Sequence, residues 1–277
     1  MENEAHVLQP GLFAGRAAIV TGGGTGIGRA IACRFAALGA RVVVAGRHIE
    51  TLTETATIMT AAGGVCLPCP TDIRDVAQVE ALVAATLEAY GRIDFLINNA
   101  GGQYPAKPSE ITDRGWRAVI DLNLNGTWNM CSRVGPHLVA QRYGAVVNIV
   151  HIYALERGAY PFAHSGAARA GVINLTRTLA NYWARHNVTV NALAPGSIDT
   201  AALRDKEHAQ MRDPVYRDKE ERAIPAHRFG RPDEIAEICA FLCSPAARFI
   251  TGAVLVADGG SSLHNWPEPE GWDMERP

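Results

Sequence analysis

Thr21-Gly22-Gly23-Gly24-Thr25-Gly26-Ile27-Gly28 follows the apolar run Ala17–Thr21 and opens directly into a helical pattern over Arg29–Leu38. Glycines at such a turn let the backbone bend tightly and approach a pyrophosphate, which rests on the free N–H groups of the helix N-terminus. A glycine cluster alone is equally well an ordinary loop. The strand before it and the helix after it make this one a dinucleotide turn. Gly22, Thr25, Gly26, Ile27 and Gly28 are then the residues within reach of the phosphates.

The same alternation runs on in both directions. Arg41–Ala45, Ile93–Asn98, Gly144–Val150, Val188–Ala194 and Val254–Ala257 are short, β-branched and apolar throughout. Strands without polar alternation are buried on both faces, as in a parallel sheet covered by helices. Val76–Tyr90 and Ala167–Arg185 supply crossover helices. The expected fold is α/β, a single Rossmann-type doubly wound parallel sheet of about seven strands with helices on both faces. It forms one domain over residues 1–277, and ligands bind beyond the carboxyl ends of the strands. Two stretches break the pattern. The segment 197–231 is long and charged and lacks a clear apolar face, which predicts a substrate lid. The tail 261–277, with Trp266 and Trp272, reads as irregular.

The end of the second strand separates NAD from NADP. An acid there would bond the ribose 2′-hydroxyl and repel a 2′-phosphate. The sequence has Ala45-Gly46-Arg47-His48, with no acid. The planar fork of Arg47 suits a phosphate, so NADPH is the expected cofactor; the alternative is a solvated arginine at a helix start.

Composition narrows the function classes. With 48% hydrophobic and 19% charged residues, the chain is that of a globular protein with a large core. A net charge of −2 gives no field favouring nucleic acid or an anionic membrane surface. No apolar run approaches the roughly 20 residues of a membrane span. The polar, acidic start MENEAHVLQPG is unlike a signal peptide, so a cytoplasmic location is expected. Cys66-Leu-Pro-Cys69 has redox or zinc spacing, but no second pair accompanies it. Cys239 and Cys243 lie four apart on one face of an apolar helix. The expectation is reduced core thiols and no metal.

The glycine turn, Asp72 after the third strand and Asn98-Asn99-Ala100-Gly101 after the fourth together resemble the short-chain dehydrogenase/reductase superfamily. Asn123 within Leu122-Asn123-Leu124-Asn125-Gly126 and Pro195-Gly196 after the sixth strand extend the likeness, which runs from about Leu12 to Gly260. The resemblance implies that Asp72, with Ile73, meets the adenine and that Asn99, Ala100 and Gly101 line the adenosine side. It also implies that Pro195, Gly196, Ile198 and Thr200 hold the nicotinamide carboxamide and phosphates. The superfamily carries a serine after the fifth strand and a Tyr-x-x-x-Lys at the next helix. Here His151 stands for the serine, Ser165 for the tyrosine and Arg169 for the lysine, with the register fixed by Ala170-Gly171-Val172. Only Asn123 remains.

Ketone reduction needs a proton donor of suitable pKa at the developing alkoxide. Serine is a poor acid, and arginine does not titrate in a useful range. Hydride addition to a C=C conjugated to a thioester instead spreads charge into an enolate, which fixed hydrogen-bond donors stabilise. His164-Ser165-Gly166-Ala167-Ala168-Arg169, Gly101-Gly102-Gln103-Tyr104, the Leu8-x-Pro10-Gly11-Leu12 approach and the tail 261–267 are similar to the peroxisomal trans-2-enoyl-CoA reductase family. That family reduces enoyl thioesters with NADPH and lacks the same tyrosine and lysine.

The expected function is therefore NADPH-dependent reduction of a trans-2-enoyl thioester. Arg169 is expected at the ribose hydroxyls, and Ser165 at the thioester oxygen unless it is only a helix cap. Asn123 binds water or substrate, or merely satisfies backbone in a helix distortion. His164 is a candidate to protonate the α-carbon, against a histidine with no role. His151, Tyr153 and Tyr160 lie on the loop above the nicotinamide as further donors. The alternatives are a carbonyl reductase using a loop tyrosine or histidine as acid, and a silent NADPH-binding protein. Between Asp199 and Arg222 six Lys/Arg face seven Asp/Glu, a balance that leaves open whether the thioester carrier is coenzyme A, a carrier protein or absent. By analogy with similar enzymes, Thr112–Gln141 and Ala167–Arg185 are expected to pair across two-fold axes, giving a homotetramer, with a dimer as the alternative.

Overall fold

The computed structural model describes residues 8–155, 158–204 and 212–263. The strands are β1 (Ala17–Thr21), β2 (Arg41–Gly46), β3 (Val65–Pro70), β4 (Phe95–Asn98), β5 (Gly144–Ile149), β6 (Val188–Pro195) and β7 (Val254–Ala257). They form one sheet in the order β3-β2-β1-β4-β5-β6-β7, every pair parallel. β1, β4, β5 and β6 are buried at every position, which is why they read as unbroken apolar runs. The strand order reverses between β1 and β4, so the crevice beyond their carboxyl ends is where a ligand enters.

Helices α1 (Gly26–Ala37), α2 (Ile49–Ala61), α3 (Val76–Tyr90), α4 (Asp113–Ile120), α5 (Gly126–Gln141), α6 (Ala163–Trp183), α7 (Pro214–Arg222) and α8 (Pro232–Cys243) complete the described fold. One core lies under α1 and α8 and holds Phe13, Phe35 and Phe95. The other lies under α3, α5 and α6 and holds Leu82, Met130 and Trp183. Asp94, fully buried, clamps the start of the sheet: it accepts from Ala17 N at 2.9 Å and from the guanidinium groups of Arg16 and Arg92.

Two expectations are refined. The helix read as Thr112–Gln141 is two helices joined by a π-helical turn, Asp121–Asn125. The segment 197–231 is not without apolar order: Leu203, Ile224 and Phe229 form a small core of their own with Tyr216, and Ile198 pairs with Gly230. Within it Asp199 takes both Arg204 and Arg217, Arg217 above all holding its carboxyl below the usual range. Residues 205–211 and the tail beyond 263 lie outside the described residues, as do the charges and tryptophans read there. All six cysteines are free. Burial lifts the thiol pKa of Cys66 to about 11 and of Cys131 to about 12, as expected of inert core thiols. No metal-binding cluster occurs among the described residues, and none of their helices is long and apolar enough to cross a membrane.

Candidate functional site

The dinucleotide half is built on the β1–α1 turn. Gly22 has a φ of +65°, and a Cβ on Gly28 would lie 2.1 Å from the Gly22 carbonyl oxygen. The chain therefore turns so tightly that the helix starts against the strand end. Thr25 caps α1 without a side-chain hydrogen bond, which leaves the first N–H groups of the helix free for an anion. The hydroxyl of Thr21 accepts from the amides of Asn99 and Ala100, both at 3.0 Å, and donates to Ile97 O. Asn99 Nδ2 returns bonds to the carbonyls of Thr21 and Gly22 at 3.0 and 3.3 Å. The glycine turn and the Asn99–Gly101 turn are thus one stitched unit across the switch point.

Arg47 is exposed at the end of β2, close enough to Asp72 to lower its pKa. The carboxylate of Asp72 is gripped by Arg74, its main depressing influence, while Ile73 is buried in the core against Gly126. Thr200 lies over the glycine turn: a Cβ on Gly26 would meet its Cγ2 at 3.4 Å. Gly196 donates to Ala257 O at 3.0 Å, and Ile198 is buried beside it. These residues could hold a dinucleotide, since the glycine turn leaves the start of α1 free of side chains.

The reacting half is a cavity of about 250 Å³ whose walls include Asn123, His151, Tyr153, Ser165, Arg169 and Pro195. His151 Nε2 lies 2.9 Å from Ser165 Oγ. Burial, helped by the positive charge of Arg169, pushes the His151 pKa down to about 4, so the imidazole is neutral near pH 7. Arg169 is only 7% exposed. Its Nη1 donates to Ile149 O, and its Nη2 lies 2.0 Å from where a Cβ on Gly101 would be. The guanidinium therefore lies where a side chain at position 101 would begin, so a larger residue there would have to displace it. Asn123, on the π turn, donates to the carbonyls of Gly102 and Val119, both at 2.8 Å, and accepts from Gly102 N at 3.3 Å. Its side chain ties the distorted helix to the loop over the site.

His164 goes elsewhere. It is fully buried but does not line the cavity; its Nδ1 accepts from Ser165 N at 2.9 Å, and its ring meets the Tyr104 ring edge-on at 4.6 Å. That position fits a brace for the helix start and the Tyr104 loop, and not a donor to a ligand. The side chain of Tyr160 lies outside the described residues; its backbone forms a 3-10 turn with Pro161 and Phe162. Two groups escaped sequence reasoning as individuals. Thr21 is signalled only by being a hydroxyl at the last strand position before the glycines. Gln103 lines the cavity with its Oε1 buried and unbonded among the described residues; it stands in the Gly101–Tyr104 turn that carries the family resemblance, which gives it no role of its own.

His151 makes a pH prediction. Its folded pKa, about 4, lies below the ordinary 6.5, so between these values the unfolded chain binds the extra proton. The associated stability is complete above pH 6.5 and is lost as pH falls toward 4, at most about 3 kcal/mol. Urea unfolding at pH 7 and pH 5 should show a larger loss for the wild type than for His151→Asn. Equal losses would mean that the imidazole is not held neutral.

A family described as enoyl-(acyl carrier protein) reductase matches residues 22–262. A probable 2,4-dienoyl-CoA reductase of Bacillus subtilis is 36% identical over 258 residues, covering 91% of this chain and 98% of that protein. A 3-oxoacyl-[acyl-carrier-protein] reductase of Thermotoga maritima is 34% identical over 246 residues, 89% of this chain and 97% of the other. The crystal structure of a short chain dehydrogenase from Bacillus anthracis superposes with a TM-score of 0.82 at 35% identity, covering 91% of this chain and 99% of that one.

Proposed function

Because the chain belongs to the short-chain dehydrogenase/reductase family, in its enoyl-(acyl carrier protein) reductase-like part, we propose that it is an NADPH-dependent reductase of the C=C bond of a trans-2-enoyl thioester. The observation that carries this reading is the His151–Ser165 pair, 2.9 Å apart, with the imidazole held neutral. A nicotinamide held by the glycine turn and Arg169 would supply hydride for the β-carbon. The chain's own residues then have to hold charge on the thioester oxygen. Where His151 Nε2–H donates to Ser165 Oγ, the serine hydroxyl is free to donate to that oxygen. Such preset donors stabilise an enolate without giving up a proton. Arg169 holds the ribose side through a fixed, buried guanidinium, and Asn123 keeps the overlying loop in place. The α-carbon is protonated from water or a neighbouring acid.

The cofactor choice rests on Arg47. Its guanidinium is exposed at the end of β2, and the nearby Asp72 is already paired with Arg74. A charge-assisted contact of about 1.5–3 kcal/mol to a 2′-phosphate corresponds to roughly a 10- to 100-fold affinity difference. Arg47→Ala should weaken NADPH binding by that factor and leave NADH unchanged, as read by fluorescence titration. Equal weakening of both would remove the 2′-phosphate from the account.

Exposed Trp116 and Trp128 on α4 and α5 support assembly through these helices, which we propose gives a homotetramer. A second reading, a 3-oxoacyl thioester reductase, is favoured by Tyr153, which lines the cavity 5.4 Å from His151 as a phenolic donor. NADPH oxidation with trans-2-enoyl-CoA and, in parallel, 3-oxoacyl-CoA thioesters separates the two. Turnover of the enoyl series alone is expected; turnover of the ketones alone would overturn the proposal.

A further inference from the structure

His164 stands one position before Ser165, fully buried and outside the cavity. Helix α6 opens without a side-chain cap, because Phe162 before it offers no acceptor to the first turn. The amide of Ser165 is one of the donors that such a start leaves without an intrahelical partner. His164 Nδ1 takes it at 2.9 Å. Burial pulls the His164 pKa below its ordinary value, so near pH 7 the ring is neutral, with Nδ1 as the bare acceptor and the proton on Nε2. Nε2 is buried and makes no hydrogen bond among the described residues. A side chain that only filled space here would be an apolar ring, since a buried N–H without an acceptor is costly. What the histidine adds is the acceptor.

The ring is itself held from its far side. Tyr104 meets it edge-on, with centroids 4.6 Å apart. The Tyr104 hydroxyl sits over the start of α4, where a Cβ on Gly115 would be 2.1 Å away. The same loop is tied to the approach to α6 by Ala106 N, which donates to Pro161 O at 2.9 Å. A line of contacts thus runs from α4 through Tyr104 and His164 to the Ser165 amide. From there the Ser165 hydroxyl carries it to His151 Nε2 at 2.9 Å.

We propose that His164 is a positioning residue: by holding the Ser165 amide it aims the Ser165 hydroxyl at the substrate oxygen, with Tyr104 as its backstop. The inference rests on the reading of Ser165 as a donor to that oxygen. The histidine then governs the rate without touching substrate or cofactor. Donation from Ser165 matters most once charge has developed on the oxygen, so a misaimed hydroxyl lowers kcat and leaves KM nearly unchanged.

Three variants of the full chain divide the roles. His164→Phe keeps a ring against Tyr104 and removes the acceptor. His164→Asn keeps an acceptor at the place of Nδ1 and removes the ring. Tyr104→Leu leaves His164 intact without its backstop, and serves in place of His164→Phe should that variant not fold. Misplacing a reacting group by about 1 Å costs up to about 100-fold, so kcat with a trans-2-enoyl-CoA should fall roughly 10- to 100-fold in His164→Phe, with KM within about threefold of wild type. His164→Asn should recover most of that loss, and Tyr104→Leu should show a smaller fall, again in kcat alone. Unchanged kcat in both His164→Phe and Tyr104→Leu overturns the proposal. The sharpest comparison places His164→Phe on Ser165→Ala. If His164 acts through the hydroxyl, the double variant is no slower than Ser165→Ala; an equal loss in both backgrounds makes the histidine a structural residue only. The 15N NMR signal of His151 Nε2 gives a readout that needs no turnover. It should move in His164→Phe as it does in Ser165→Ala. A signal that moves in a chain without enoyl turnover keeps the positioning role and rejects the reductase reading. A signal that stays in place rejects the role whatever the turnover.

Discussion

Arg169→Ala should lower kcat/KM by about 10²–10³, the usual cost of removing one preset donor from a closed site. The guanidinium is buried, donates to Ile149 O and lies under Gly101, so its loss leaves both a void and an unpaired carbonyl. Arg169→Lys should restore part of the rate, because an ammonium keeps the charge but cannot serve two directions with one rigid fork. A second readout separates position from mere structure. The Arg169 charge helps to hold the His151 pKa at about 4, so removing it should move the imidazole titration upward, as seen by NMR. A rate within about threefold of wild type, with the titration unmoved, would remove Arg169 from the site.

Gly28→Ala should abolish saturable NADPH binding. Its new Cβ would sit 2.1 Å from the Gly22 oxygen and 2.7 Å from the Gly22 carbon, both backbone atoms that cannot swing aside. The turn must open, and the helix N–H groups then leave the pyrophosphate. Losing two charge-assisted bonds at about 1.5–3 kcal/mol each weakens binding roughly 10²–10⁴-fold. Thermal unfolding of the ligand-free variant gives the control: overpacking alone costs about 1–3 kcal/mol, so a folded protein that no longer binds is the expected result. Binding within tenfold of wild type would show that the turn is not the phosphate cradle.

The fold was legible because its signals are local. The glycine turn announces itself by spacing, and strands buried on both faces cannot hide their composition, so the parallel sheet could be read from apolar runs alone. The π turn at Asp121–Asn125 was legible only as a helix distortion at Asn123, not in its bounds, since its wider winding answers to a partner outside the helix: Asn123 reaches Gly102. The small core of Leu203, Tyr216, Ile224 and Phe229 has no period to detect, because its members come from separate turns. At the site, the glycine-turn positions, Asn99, Arg169 and Ser165 followed from motif position. His164 and Ser165 did not separate on paper. Successive helix positions diverge by about 100°, which sends one to the Tyr104 loop and the other into the cavity. The contact of Ser165 with His151, 14 positions away, needed the folded loop.

The reversal of strand order between β1 and β4 also has a price in time. Ala17 and Asp94, which bond across that seam, are 77 positions apart in the chain. During synthesis at about 5–20 residues per second, the β4 edge of β1 waits roughly 4 to 15 s for its neighbour to emerge. Throughout that wait it presents unpaired backbone groups and an apolar face to any other nascent strand. The middle of the sheet, the most buried part of the finished protein, is therefore its most exposed part on the ribosome, and chaperone demand should peak there, before the second half of the chain has been made.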